Sequence, residues 1–138
     1  MSLELSEIQK SIRAAITLNT TLMNILSDGS DSVVDNPTNL GLNYPYISFV
    51  GMTIEADDTT SSDGNIIFIT LGAYTQTGNK LQAQSILKEL NNSLHKKHLN
   101  VTNLNYCYSK IDFSEVLIDD QDTSNGFNAI IRLRLNTY

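Results

Sequence analysis

The side chains able to do chemistry fall into a few groups. Asp57, Asp58 and Asp63 share one polar stretch, and Asp119, Asp120 and Asp122 share another. A hard cation such as calcium needs several oxygens converging at about 2.3–2.6 Å, from alternating ligands that end in a bidentate Glu. Neither stretch has that spacing, and Asp is favoured in turns for its local hydrogen bonds, so both read as solvated turns. His95 and His98 are three residues apart and could ligate a metal from one helix face, but no third ligand presents itself. With Lys96 and Lys97 they place positive charge where a helix C-terminus favours it. Cys107 is the only cysteine, which excludes an internal disulfide and a cysteine-based zinc site. No recognisable base marks it as a nucleophile, so it reads as a small packing residue. The seven glycines are scattered and form no phosphate-cradling loop. The sequence therefore predicts no enzymatic activity, no cofactor and no metal. Six tyrosines and no tryptophan leave Tyr as the large amphipathic side chain. Tyr buries area while keeping a polar end, which suits interfaces, although any single one reads first as an ordinary strand residue.

The elements that would position these groups follow from periodicity. Leu5, Ile8, Ile12, Ala15 and Ile16, continued by Leu18, Leu22, Ile25 and Leu26, predict a helix over roughly residues 4–27. Ser6 with Gln9 has capping-box spacing, and Ser2 is an alternative start. Asn19, Thr20 and Thr21 are poor helix formers that divide the segment, and Asp28-Gly29 ends it. Residues 28–45 form a long polar connection in which Val33-Val34 is the one apolar pair. Pro45 sits at the mouth of a strand over 46–54. A second strand, 66–76, opens with Ile66, Ile67, Phe68 and Ile69, apolar on both faces as a central strand is. Between them the tip Glu55–Asn65 has almost nothing to bury. It is expected to order only against a neighbour, because it cannot offset its own ordering entropy.

A second helix is predicted over 79–96, with Ala83, Ile86, Leu87, Leu90 and Leu94 on one face and Asn79 as its cap. Residues 104–118 are extended with imperfect alternation, which calls for a bulge or bend. In the final strand Phe127, Ala129, Ile131, Leu133 and Leu135 face one way, while Asn128, Ile130, Arg132 and Arg134 face the other. The order α-β-β-α-β-β predicts an α+β two-layer sandwich, with a mainly antiparallel four-stranded sheet and two helices on one face. Residues 1–138 read as a single domain.

Composition bounds the partners. Nine basic and fifteen acidic side chains give a net charge of −6. That opposes a dedicated nucleic-acid surface and binding to anionic lipid. No window approaches 18 consecutive apolar residues, so no membrane span is predicted. The acidic start, without a basic and then apolar run, is not a signal peptide, so the chain is expected to stay in the cytoplasm. Only 17% of residues are charged, and neutral polar residues dominate the surface, which suits a protein that assembles.

Three stretches carry a family resemblance. They are Tyr44-Pro45-Tyr46-Ile47-Ser48-Phe49 after the N-terminal helix and loop; Ile67-Phe68-Ile69-Thr70-Leu71-Gly72-Ala73-Tyr74, leading through Thr75–Gly78 into the helix with Ala83, Ile86 and Leu94; and the ending from Asp122 to Arg134. Over nearly its full length the chain resembles the tail-completion, or tail-terminator, family of long-tailed phages, prophages and phage-derived particles. The resemblance implies a ring, usually of six copies, on the head-proximal end of the tail tube. Such a ring ends tube polymerisation and offers a docking face to the head-tail connector. It would assemble in the bacterial cytoplasm and remain in the tail-neck region of the particle. DNA would pass through without specific binding: six copies at −6 each carry −36, and a negative lumen repels phosphate. A neck stopper or adaptor, and a small-molecule-sensing α+β domain, are the alternative readings.

The candidate partner-binding residues are Asp57, Asp58, Asp63, Arg132, Arg134 and Tyr138. Arg132 and Arg134 form a local positive spot, for which Asp57-Asp58 or Asp119-Asp120 of a neighbouring copy are counterparts. The final strand and its tail through Tyr138 are the candidate sheet edge for joining copies, because an uncovered edge offers unpaired backbone groups.

Overall fold

The computed structural model describes residues 5–27, 29–34, 45–56, 64–75, 81–101, 107–118 and 127–137. Helix α1 spans Leu5–Thr17 and buries Ile8, Ile12 and Ile16, four residues apart on one face. The break expected at Asn19 is a cap. Asn19 is extended, and its Oδ1 accepts from the Leu22 N–H at 3.0 Å to start α2, Thr20–Ile25. Its Nδ2 donates to the backbone oxygen of Glu89 at 3.2 Å and to Ser93 Oγ at 2.9 Å, in helix α3. One side chain thus begins a helix and ties it to another. α3 is Leu81–Leu94 and buries Ala83, Ile86, Leu90 and Leu94. The predicted cap Asn79 lies outside the described residues.

The strands are β1 (Val33–Val34), β2 (Tyr46–Ala56), β3 (Asn65–Tyr74), β4 (Lys97–His98), β5 (Cys107–Ile118) and β6 (Phe127–Thr137). They form a single sheet in the order β1-β2-β3-β6-β5-β4. β2, β3, β6 and β5 are successively antiparallel, β4 is antiparallel to β5, and β1 is parallel to β2. The α+β class and the antiparallel core match the sequence expectation, but the four-stranded sheet with two helices does not. Among the described residues the sheet has six strands, because a two-residue strand is added at each edge, and there are three α-helices. Strands of two residues are too short to show any period of their own.

Alternation decides which face is covered. Ile67, Ile69, Leu71 and Ala73 of β3 and Ala129, Ile131, Leu133 and Leu135 of β6 are almost wholly buried against the helices. Helix α3 lies over β3, β6 and β5, and α1 and α2 pack on α3. Arg132 and Arg134 alternate onto the opposite face and are exposed. Pairing shifts register between Phe49 and Gly51 in β2 and between Ile111 and Phe113 in β5. The second shift is the irregularity expected in that strand, and it leaves Asp112 as the extra residue. On the uncovered face Tyr46 stacks on Tyr74 with ring centroids 5.0 Å apart. Tyr74 lies over Gly72, where an added Cβ would fall 2.7 Å from the phenolic oxygen.

Two ties close the layers. Thr75 Oγ1 donates to the Phe127 carbonyl at 2.8 Å and accepts from the Phe127 N–H at 3.2 Å, extending the β3–β6 pairing. Buried Ser109 Oγ donates to the Leu94 carbonyl, an acceptor that the end of α3 would leave orphaned.

Cys107 is buried, and that burial pushes its thiol from an ordinary 9.0 up to about 11. The folded chain should therefore react slowly with a disulfide reagent at neutral pH and release a single thiol on unfolding. Because the folded thiol holds its proton more tightly than the unfolded one, its contribution to stability is complete below pH 9.0 and fades as pH rises toward about 11. Denaturant titrations of the wild type and of Cys107→Ala across that window should differ in slope against pH. In the core, Leu90→Ala should cost about 2–5 kcal/mol in a urea melt.

Candidate assembly surface

Among the described residues no three His, Cys, Asp or Glu side chains are placed to hold a metal ion. The two histidines are not on one helix face, because α3 ends at Leu94 and Lys96 takes a positive φ of 56° that turns the chain into β4. His95 Nδ1 accepts from the Ile111 N–H at 3.1 Å, which places its neutral-form proton on Nε2. His98 lies against the Tyr108 ring, with centroids 5.0 Å apart. An open groove of about 660 Å³ beside α1 is lined by residues that include Lys10, Ala14, Leu18 and Lys97. Leu18 is exposed there and not on the buried stripe expected for it, because α1 ends at Thr17.

Asp57, Asp58, Asp63 and Tyr138, with the acidic stretch 119–122 and the inner part of the tip Glu55–Asn65, lie outside the described residues. Arg132 and Arg134 are described and share the uncovered face. Arg132 already has a partner in its own chain. Its Nε donates to Asp112 Oδ1 at 3.0 Å and its Nη2 to Asp112 Oδ2 at 3.2 Å, a two-pronged pair. The hydrogen bond and then the carboxylate charge raise the guanidinium's pKa, and the group stays charged. The same guanidinium sits 5.1 Å above the centre of the Phe68 ring. Sequence reading missed Asp112, since only the register shift brings it within reach of Arg132. Arg134 Nε makes a long contact of 3.4 Å to Asn136 Oδ1.

The expectation that the final strand offers the free edge is overturned. β6 is central, and Asn128 to Thr137 pair with β3 on one side and β5 on the other. The edges belong to β2 and β5. β1 covers β2 only at Ile47 and Ser48. β4 covers β5 at Tyr108 and Ser109, and the chain just beyond it reaches Cys107, because the Leu99 N–H donates to the Cys107 carbonyl at 2.8 Å. Among the described residues, positions 49–56 of β2 and 112–118 of β5 have no outer strand neighbour.

No helix among the described residues is long and apolar enough to cross a membrane. A comparison with curated proteins finds no match. Among solved structures, the fold is similar to a chain in "Virion of native gene transfer agent (GTA) particle". The TM-score is 0.73 at 11% identity, over 94% of this chain and 96% of that one. The family model for "Tail completion protein gp17" matches residues 10–134. That match takes in α2, α3, β2, β3 and β5 whole and most of α1 and β6, and by it the chain belongs to the gp17 family of phage tail completion proteins.

Proposed function

We propose that the chain forms a ring, of six copies, on the head-proximal end of a phage-type tail tube, where it ends tube polymerisation and joins tail to head. The family match over residues 10–134 carries this reading. Its partners are further copies of itself, the tail tube protein and the head-tail connector. DNA passes through the ring without specific contacts, consistent with a net charge of −6 per copy. The role is structural, and the side chains that matter are those that meet neighbours. Arg132, Arg134, Asp57, Asp58, Asp63 and Tyr138 are the proposed contacts. Arg134 is the stronger of the two arginine candidates, because Arg132 is engaged by Asp112. Assembly takes place in the bacterial cytoplasm, and the ring stays at the neck of the particle.

Adding the purified chain to polymerising tail tube protein should stop elongation and cap one tube end in electron micrographs. Tubes that grow unchanged in its presence would remove the terminating role. Replacing both arginines (Arg132→Gln, Arg134→Gln) should raise ring dissociation at low salt, with the difference shrinking in high salt where exposed charges are screened. Equal dissociation at both salt levels would assign the two side chains to solvent alone.

A further inference from the structure

We propose that neighbouring copies are joined through their sheets, with the free edge of β2 in one copy pairing antiparallel with the free edge of β5 in the next. This rests on the ring reading and names the interface within it. Three observations support it, beginning with the uncovered apolar side chains. Five large ones are exposed among the described residues, and three of them, Val50 at 56%, Ile54 at 42% and Phe113 at 47%, lie on these two edge segments. Ile54 is in phase with the helix-covered face, two residues beyond Met52, yet the helices do not reach it. Ser114 of β5, paired with buried Ile131, is likewise in phase with that face and exposed. A neighbouring edge would cover both.

The edges carry only part of the usual protection against pairing, the acids Glu55, Asp112 and Glu115 and one bulge each. Neither 49–56 nor 112–118 contains Lys or Pro. Each register shift falls at the start of its free segment, at Val50 and at Asp112, so the backbone beyond it is regular and available.

The geometry then matches one copy to the next. β2 and β5 run in opposite directions, so two copies standing the same way up present antiparallel partners. The free parts occupy opposite corners of the sheet. Positions 49–56 lie beside β3 residues 65–71. Positions 113–118 lie beside β6 residues 127–132, the level of β3 residues 70–74. The offset between their centres is four to five residues, about 15 Å at roughly 3.3 Å per residue, across four strand spacings of about 19 Å in all. That ratio corresponds to strands tilted about 40°, within the ~35–45° that lets a sheet close on itself. A contact between β2 of one copy and β5 of the next is heterologous, and because every copy keeps both edges it propagates around a ring.

The same-face register that best centres the two segments sets Thr53 opposite Glu115, and a shift of two residues sets Thr53 opposite Phe113. Cysteines placed at such positions lie within disulfide reach across a strand pair. The double variant Thr53→Cys, Glu115→Cys, or else Thr53→Cys, Phe113→Cys, should give a ladder of covalent multimers on mild oxidation. The corresponding single variants, which retain buried Cys107, should give none. Ile54→Lys should weaken the oligomer at least tenfold in dissociation concentration while leaving the circular dichroism of the monomer unchanged. A ring of normal mass in which neither double variant cross-links, and which Ile54→Lys leaves intact, overturns edge pairing and leaves the ring reading standing. A chain that stays monomeric at every concentration overturns both.

Discussion

The antiparallel pairing of β3 with β6 is the constraint on which the rest of the molecule depends. Ten residues of each strand are matched, from Asn65 with Thr137 to Tyr74 with Asn128. Because side chains alternate, that one register sends Ile67, Ile69, Leu71, Ile131, Leu133 and Leu135 together to the helix side. A slip of β6 by one residue would exchange its Ile131, Leu133 and Leu135 for Ile130, Arg132 and Arg134, and would put two guanidiniums in the core. The cost of burying unpaired charge makes the register close to obligatory. Once it is set, β2 and β5 add to its two sides, and α3 has an apolar floor to lie on. Thr75 lengthens the match by bonding both the N–H and the carbonyl of Phe127.

From that centre outward the pairing becomes less regular. The two inner strands are matched without a shift, whereas each outer long strand carries one. In β5 the extra residue is Asp112, displaced to where its carboxylate meets Arg132 with both oxygens. The irregularity and the ion pair are therefore one feature seen from two sides. The shift delivers the carboxylate, and the two-pronged pair fixes the guanidinium over Phe68. His95 attends to the same place from the other side, accepting the Ile111 N–H that β4 does not reach.

What was legible in the sequence follows the strength of each periodic signal. β6 alternates over its whole length with large aliphatic residues on one phase, and both its position and its faces could be read directly. α3 has a four-residue stripe and was equally plain, but its end was not. The basic run from His95 to His98 looked like a helix terminus, whereas Lys96 turns with positive φ and the next two residues add to the sheet. β1 and β4 are two residues each and exist only because a longer strand offers them partners, a condition no local pattern records. The order of strands was likewise out of reach. Nothing in the composition of the last strand says that it inserts between β3 and β5, and so the edge was assigned to the wrong strand. Asn19 was read correctly as a break, but its second role, holding α3 through Glu89 and Ser93, depends on residues some seventy positions away.

The distribution of uncovered apolar surface separates the faces of this molecule from its edges. The face away from the helices is closed by its own side chains. Tyr74 roofs Gly72 and is stacked by Tyr46, and Arg132 lies across Phe68 while Asp112 neutralises its charge. Tyr46, Phe68 and Tyr74 are thus covered by neighbours from the same sheet, so the middle of this face can meet water without a partner layer. Val50, Ile54 and Phe113 have no such cover. They sit where a sheet can be extended and not where another layer can be stacked, and backbone groups on the same segments lack an outer strand. Hydrophobic surface and unpaired hydrogen-bonding groups favour the same remedy, a further strand alongside. In the proposed ring, a sheet covered over the middle of its faces and open at two opposite corners is extended sideways, by the one repeated rotation that an annular assembly requires.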